Sequence, residues 1–147
     1  MQKRQLFDEI KHFLNTQVQG VLATLDGDQP CLHLMAYGFS DDLSELYLVS
    51  YADTRKVSNM LAQPKVSMLW DNRTGNSADH VDGLALNAVG QAYRLDEMRF
   101  DDIKALLLRR NATLKTLLSS DRAAIFSVSV SEYVYVKGYS EVYQLQP

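Results

Sequence analysis

The chain has 147 residues, 46% apolar and 22% charged, which suits one globular domain over 1–147 and excludes disordered, collagen-like and coiled-coil chains. A formal net charge of −3 speaks against a broad surface for DNA or RNA, because such binding takes a clustered basic face. Cys31 is the only cysteine, so the chain can form neither an internal disulfide nor a thiolate metal cluster, as expected in a reducing cytoplasm.

Leu6, Ile10, Phe13 and Leu14 share one helical face and predict an amphipathic helix over about residues 3–15. Gly20–Leu25 and Cys31–Tyr37 flank Asp26-Gly27, a hairpin turn signal, and predict two antiparallel strands. Glu45–Ser50 is a third strand, followed by a helix over about Asp53–Gln63 that Pro64 stops. Lys65–Trp70 reads as a fourth strand, Asp71–His80 as a polar loop, and Leu84–Leu95 as a strand in which Gly90 marks a bulge or a close backbone approach. Asp96 can cap a helix carrying Phe100, Ile103, Leu107 and Arg110 along one side, and Thr113–Leu118 forms a further short helix. Ala123–Val136 is a long strand, separated by Gly138 from Tyr139–Leu145. These mostly antiparallel links favour a mainly β fold, a sheet closed on itself with peripheral helices. No stretch reaches the roughly 18 apolar residues of a membrane helix, and the first residues lack the apolar core of a signal peptide, so a soluble cytoplasmic chain is expected.

Arg55 and Lys56 stand at the start of the second helix, where the positive end of the helix dipole disfavours cations by up to about 1 kcal/mol. A bound anion reverses that cost. With Asp53 or Thr54 as N-cap and nearby hydroxyls, the strand-to-helix junction suits one phosphate group, against the plainer alternative of a solvated basic face. His12, His33 and His80 have no metal-ligand spacing, and no Gly-rich phosphate loop is present. Trp70, Tyr133 and Tyr135 suit barrel core, a dimer contact or a planar cofactor. Ser50 suits either a local backbone bond or a ligand, and Arg73 a solvated loop or a ligand.

The opening hairpin Gly20–Pro30, Leu46–Ser50 with Thr54-Arg55-Lys56, and Gln63–Leu69 together resemble the FMN-binding split-barrel family of pyridoxamine 5′-phosphate oxidase, over about residues 5–137. The resemblance implies a split β-barrel of the FMN-binding type. It also implies a homodimer with FMN at the subunit interface and a small-molecule substrate. In that family Val49, Ser50, Thr54, Arg55 and Lys56 would line the FMN phosphate, while the stretch His33, Leu34, Met35, Ala36 and Tyr37 would pass beside the flavin ring. Asn72 and Arg73 match an Asn-Arg pair that approaches the flavin in some split-barrel proteins. Two positions depart from the oxidases: His33 replaces an arginine and Gly38 a lysine. The stretch after Tyr139 matches neither the oxidases' Arg-x-His segment nor a haem-ligating histidine extension, which disfavours pyridoxamine phosphate as substrate and haem as ligand. The resemblance therefore implies an FMN-dependent oxidoreductase of unknown substrate, with a non-catalytic flavin-binding or sensor module as the alternative and a flavin-free relative of the fold as a third. No catalytic side chain is implied, since the cofactor carries the chemistry.

Overall fold

Side chains alternate across a strand, so strands with one apolar face must cover that face together. A computed structural model describes residues 1–147 and shows how they do so. In chain order the elements are α1 (Lys3–Thr16), β1 (Gln19–Asp26), β2 (Gln29–Phe39), β3 (Glu45–Tyr51), α2 (Arg55–Ala62), β4 (Lys65–Asp71), α3 (Asp79–Asp82), β5 (Leu84–Arg94), α4 (Glu97–Arg110), a 3-10 turn (Ala112–Leu114), α5 (Lys115–Leu118), β6 (Ala123–Lys137) and β7 (Glu141–Leu145). The strands run β3-β2-β1-β4-β5-β6-β7, and a second pairing of β3 with β6 closes β1–β6 into an antiparallel barrel. This is the mainly β, split-barrel architecture expected from the sequence.

The barrel interior is filled by Leu22, Met35, Tyr37, Leu48, Met68, Trp70, Leu86, Phe126 and Tyr133, all nearly inaccessible to water. Trp70, Tyr133 and Tyr135 therefore belong to this core, with Trp70 edge-on to Tyr37. Helix α1 adds Leu6, Ile10, Phe13 and Leu14 to the same core, while α4 and α5 build a smaller one against the outer side of β3 with Tyr47, Val49, Ile103, Leu107 and Ile125.

The expected irregularity at Gly90 is real on both counts. Register shifts between Val89 and Gly90, where Ser131 of β6 is left unpaired, and a Cβ on Gly90 would lie 2.2 Å from the Ser129 carbonyl oxygen. The shift lets both halves of the long strand β6 face apolar residues inward, Val128 and Val130 before it and Tyr133 and Tyr135 after it. The expected loop after β4 contains the short helix α3, folded by Asp79, whose carboxylate accepts the backbone N–H groups of Thr74, Gly75 and Asn76.

Candidate functional site: an uncapped helix at the barrel end

Helix α2 begins at Arg55, two residues later than the sequence suggests. Thr54 occupies the N-cap position, but its hydroxyl makes no cap bond. It donates instead to the Tyr51 carbonyl at 3.0 Å and lies 3.0 Å from the Ser50 hydroxyl. Asp53, the other cap candidate, is drawn away to the Arg122 guanidinium, at 2.6 and 2.7 Å. The consequence is electrostatic. The first backbone donor of the helix with a protein acceptor is Ser58 N–H, to Thr54, so the N–H groups of Arg55, Lys56 and Val57 stay free at the positive end of the helix dipole.

The charged side chains around this end are arranged unequally. Arg55 is exposed and ion-paired with Asp26, at the tip of the β1–β2 hairpin. Lys56 is half-buried and stands near His33 on the inward face of β2. Burial, then Lys56, then Arg55 hold the His33 imidazole below its ordinary value, so it is uncharged at neutral pH. His33 Nε2 lies 3.0 Å from Thr24 Oγ1, which also receives Asn59 Nδ2–H at 3.0 Å. Thr24 and Asn59 are buried, and neither stands out in the sequence, because a threonine is ordinary in a strand and Asn59 is one of several polar residues of α2, with Arg55, Lys56 and Ser58.

The other site candidates divide by strand parity. Ser50 is inward and 5% exposed, next to Thr54, whereas Val49 is packed into the small core under α4, so only its backbone can face a ligand at α2. On β2, Met35 is buried in the barrel core, while Leu34 and Ala36 point outward, with Leu34 70% exposed. Asn72 and Arg73 lie at the far end of β4. Ser67 pairs with Ala23 beside the cradle, and Asp71 is four residues further, roughly 13 Å along the strand. There the Asn72 carboxamide oxygen accepts Leu84 N–H at 2.8 Å and closes the loop, and Arg73 pairs with Asp71 at 3.1 Å. The structure thus gathers His33, Ser50, Thr54, Arg55 and Lys56 at one place and keeps Asn72 and Arg73 at another.

The family model for pyridoxamine 5′-phosphate oxidase matches residues 6–137. The chain belongs to that family. Solved structures agree with this fold at low sequence identity. A heme binding protein from Mycobacterium smegmatis superposes with a TM-score of 0.82 at 19% identity, covering 94% of this chain and 56% of that one. ChuZ from Campylobacter jejuni gives 0.84 at 15% identity, covering 99% and 61%. A NimC/NimA family protein from Clostridium acetobutylicum gives 0.75 at 21% identity, covering 99% and 94%. The chain therefore spans just over half the length of the mycobacterial protein and nearly all of the clostridial one. No curated protein matches the chain. The shared fold thus carries proteins of different names and lengths. No helix of this family member is long and apolar enough to cross a membrane.

Proposed function

We propose that the chain is an FMN-binding flavoprotein and acts as an FMN-dependent oxidoreductase on a small molecule. The observation that carries this reading is the uncapped start of α2: three free N–H groups, two adjacent hydroxyls and the cations Arg55 and Lys56. That donor set fits a phosphate monoester. Free helical N–H groups and cations favour a dianion, and the hydroxyls of Ser50 and Thr54, now satisfied by each other and by Tyr51, can turn to it. Bound FMN would supply electron transfer at its ring system, and the chain's own residues would bind, orient and shield it.

The proposed homodimer rests on a second observation. The outer face of β2, β1 and β4 carries Leu34, Val21 and Leu69 in one register row and Leu32 and Ala23 in the next. Leu32 and Leu34 are 71% and 70% exposed. An apolar sheet face of this kind suits a second copy of the chain, which would put the flavin at the subunit interface.

The name of the mycobacterial relative raises haem as another occupant. An iron porphyrin needs an axial ligand and partners for two carboxylates, whereas the one histidine at the cradle, His33, has its Nε2 engaged by Thr24, and the free N–H groups, hydroxyls and cations there suit a phosphate, so the cradle favours FMN. Visible absorption after adding FMN and removing the excess by gel filtration tests the reading. Retained flavin bands near one per chain are expected. A colourless protein, or a haem Soret band in place of flavin, overturns it. Reduction by a nicotinamide donor followed by reoxidation coupled to product separates an enzyme from a flavin-binding module.

A further inference from the structure

Asn59, Thr24 and His33 form a buried chain of side-chain bonds from the middle of α2, through β1, to β2. Asn59 Nδ2 is a donor and has Thr24 Oγ1 at 3.0 Å. Thr24 Oγ1, having accepted that bond, can donate its own proton to His33 Nε2, 3.0 Å away. Asn59 is 6% and Thr24 1% exposed, so water does not compete for these groups, and leaving one of them unpaired would be costly. With Nε2 as the acceptor of that proton, the imidazole proton sits on Nδ1. Thr24 is the only side-chain partner of the His33 ring, so Nδ1–H is left as a free donor.

We infer that Thr24 and Asn59 are positioning residues for the phosphate end of the site, holding His33 as the Nδ1–H tautomer so that it meets the anion as a neutral hydrogen-bond donor. This rests on the FMN reading above. It differs from a third cation in a definite way, because recognition then comes from geometry and not from added charge. The groups around His33 are Lys56 and Arg55 on α2, Asp26 of β1, which is paired with Arg55, and Cys31 two residues earlier on β2. The two cations disfavour an imidazolium. The relay does so as well, because an Nε2–H would turn Thr24 into an acceptor twice over and leave the buried Thr24 hydroxyl proton without its acceptor.

The experiment is 15N NMR of the labelled imidazoles in the flavin-free protein at pH 8, followed by FMN and riboflavin titrations of wild type, Thr24→Val and Thr24→Ser. In wild type the His33 signals should show Nδ1 protonated and titrate below the ordinary imidazole range. Thr24→Val should move the population toward Nε2–H, shift the titration upward and weaken FMN about tenfold while leaving riboflavin unchanged. Thr24→Ser should restore all three. An Nε2–H tautomer in wild type overturns the inference without any variant, and so does an equal loss of FMN and riboflavin in Thr24→Val. Failure of wild type to bind either flavin overturns the cofactor reading and the phosphate role with it, and is distinguished by a tautomer that still follows Thr24.

Discussion

Asp26 determines how much of the Arg55 charge reaches a ligand. Its carboxylate already holds the guanidinium, at an exposed site where such a pair contributes little to folding. A phosphate at α2 must therefore share Arg55 or take it over. Asp26→Asn should tighten FMN about two- to fivefold, as read by quenching of flavin fluorescence, and unchanged affinity would mean that Arg55 serves Asp26 alone. Arg55→Ala and Lys56→Ala should each weaken FMN about tenfold or more with little effect on riboflavin, and equal losses for both ligands would remove the phosphate assignment. At this scale the sequence is informative where residues break a rule. Two cations at a helix start are conspicuous, and the structure shows that Asp26 offsets one of them, Arg55. Thr24 and Asn59 obey every local rule, lie 35 positions apart, and become visible only when β1 and α2 are stacked.

Glu45 does for the elements what the sheet hydrogen bonds cannot, tying four of them together at one point. From β3 its carboxylate receives Arg99 of α4 at 3.0 and 2.7 Å, Tyr47 of β3 at 2.8 Å, Tyr93 of β5 at 2.9 Å and Ser127 of β6 at 3.0 Å. The Arg99 guanidinium, helped by the hydroxyls and opposed by burial, holds its pKa down at about 2. A folded-state value below the unfolded one gives stability that is complete above about pH 4.5 and lost as pH falls toward 2. With the side chain 21% exposed, that amounts to about 2 kcal/mol. Urea melts from pH 7 to pH 3 should show this acid loss, and Glu45→Gln should lower stability at pH 7 and flatten the acid limb. Arg110 is a second tie. Its guanidinium donates to the Leu14 and Gln17 carbonyls, both at 2.6 Å, and to Tyr37 O at 2.9 Å, and it lies 4.4 Å from the Tyr37 ring centre. It thus closes the C-terminal end of α1. The Tyr37 hydroxyl also reaches the Leu14 and Gln17 carbonyls, at 2.5 and 3.0 Å, so Arg110→Met leaves a single hydroxyl proton for the two and should cost about 1–3 kcal/mol, measured in the same melts. The strands, helix α4 with its Asp96 cap, and the Gly90 irregularity are legible in the sequence because each is encoded within a few residues. Apart from the local Tyr47 bond, the Glu45 and Arg110 ties join residues 48 to 96 positions apart and follow only from the closed barrel.

The molecule as a whole leaves one surface unexplained by its own folding. The barrel fills its interior and covers two of its sides with helices, yet the outer face of β2, β1 and β4 presents Leu32, Leu34 and Leu69 to solvent, the last 43% exposed. Leucines there add nothing to the core, since the inward positions of the same strands, Leu22, Met35 and Met68, already fill it. A charge at the centre of this face should leave the monomer folded and disrupt only what docks on it. Leu34→Glu is therefore expected to keep the circular dichroism and melting temperature of the parent while sedimenting as a monomer at micromolar concentration, where the parent is expected to sediment as the proposed dimer. Flavin affinity separates two consequences. If the partner subunit completes the site, the monomeric variant loses FMN even though its cradle at α2 is intact, because His33, Ser50, Thr54, Arg55 and Lys56 belong to other faces of the structure. A Leu34→Glu protein that remains dimeric shows that the copies meet elsewhere. A monomer that binds FMN as tightly as the parent shows that each chain holds its flavin alone.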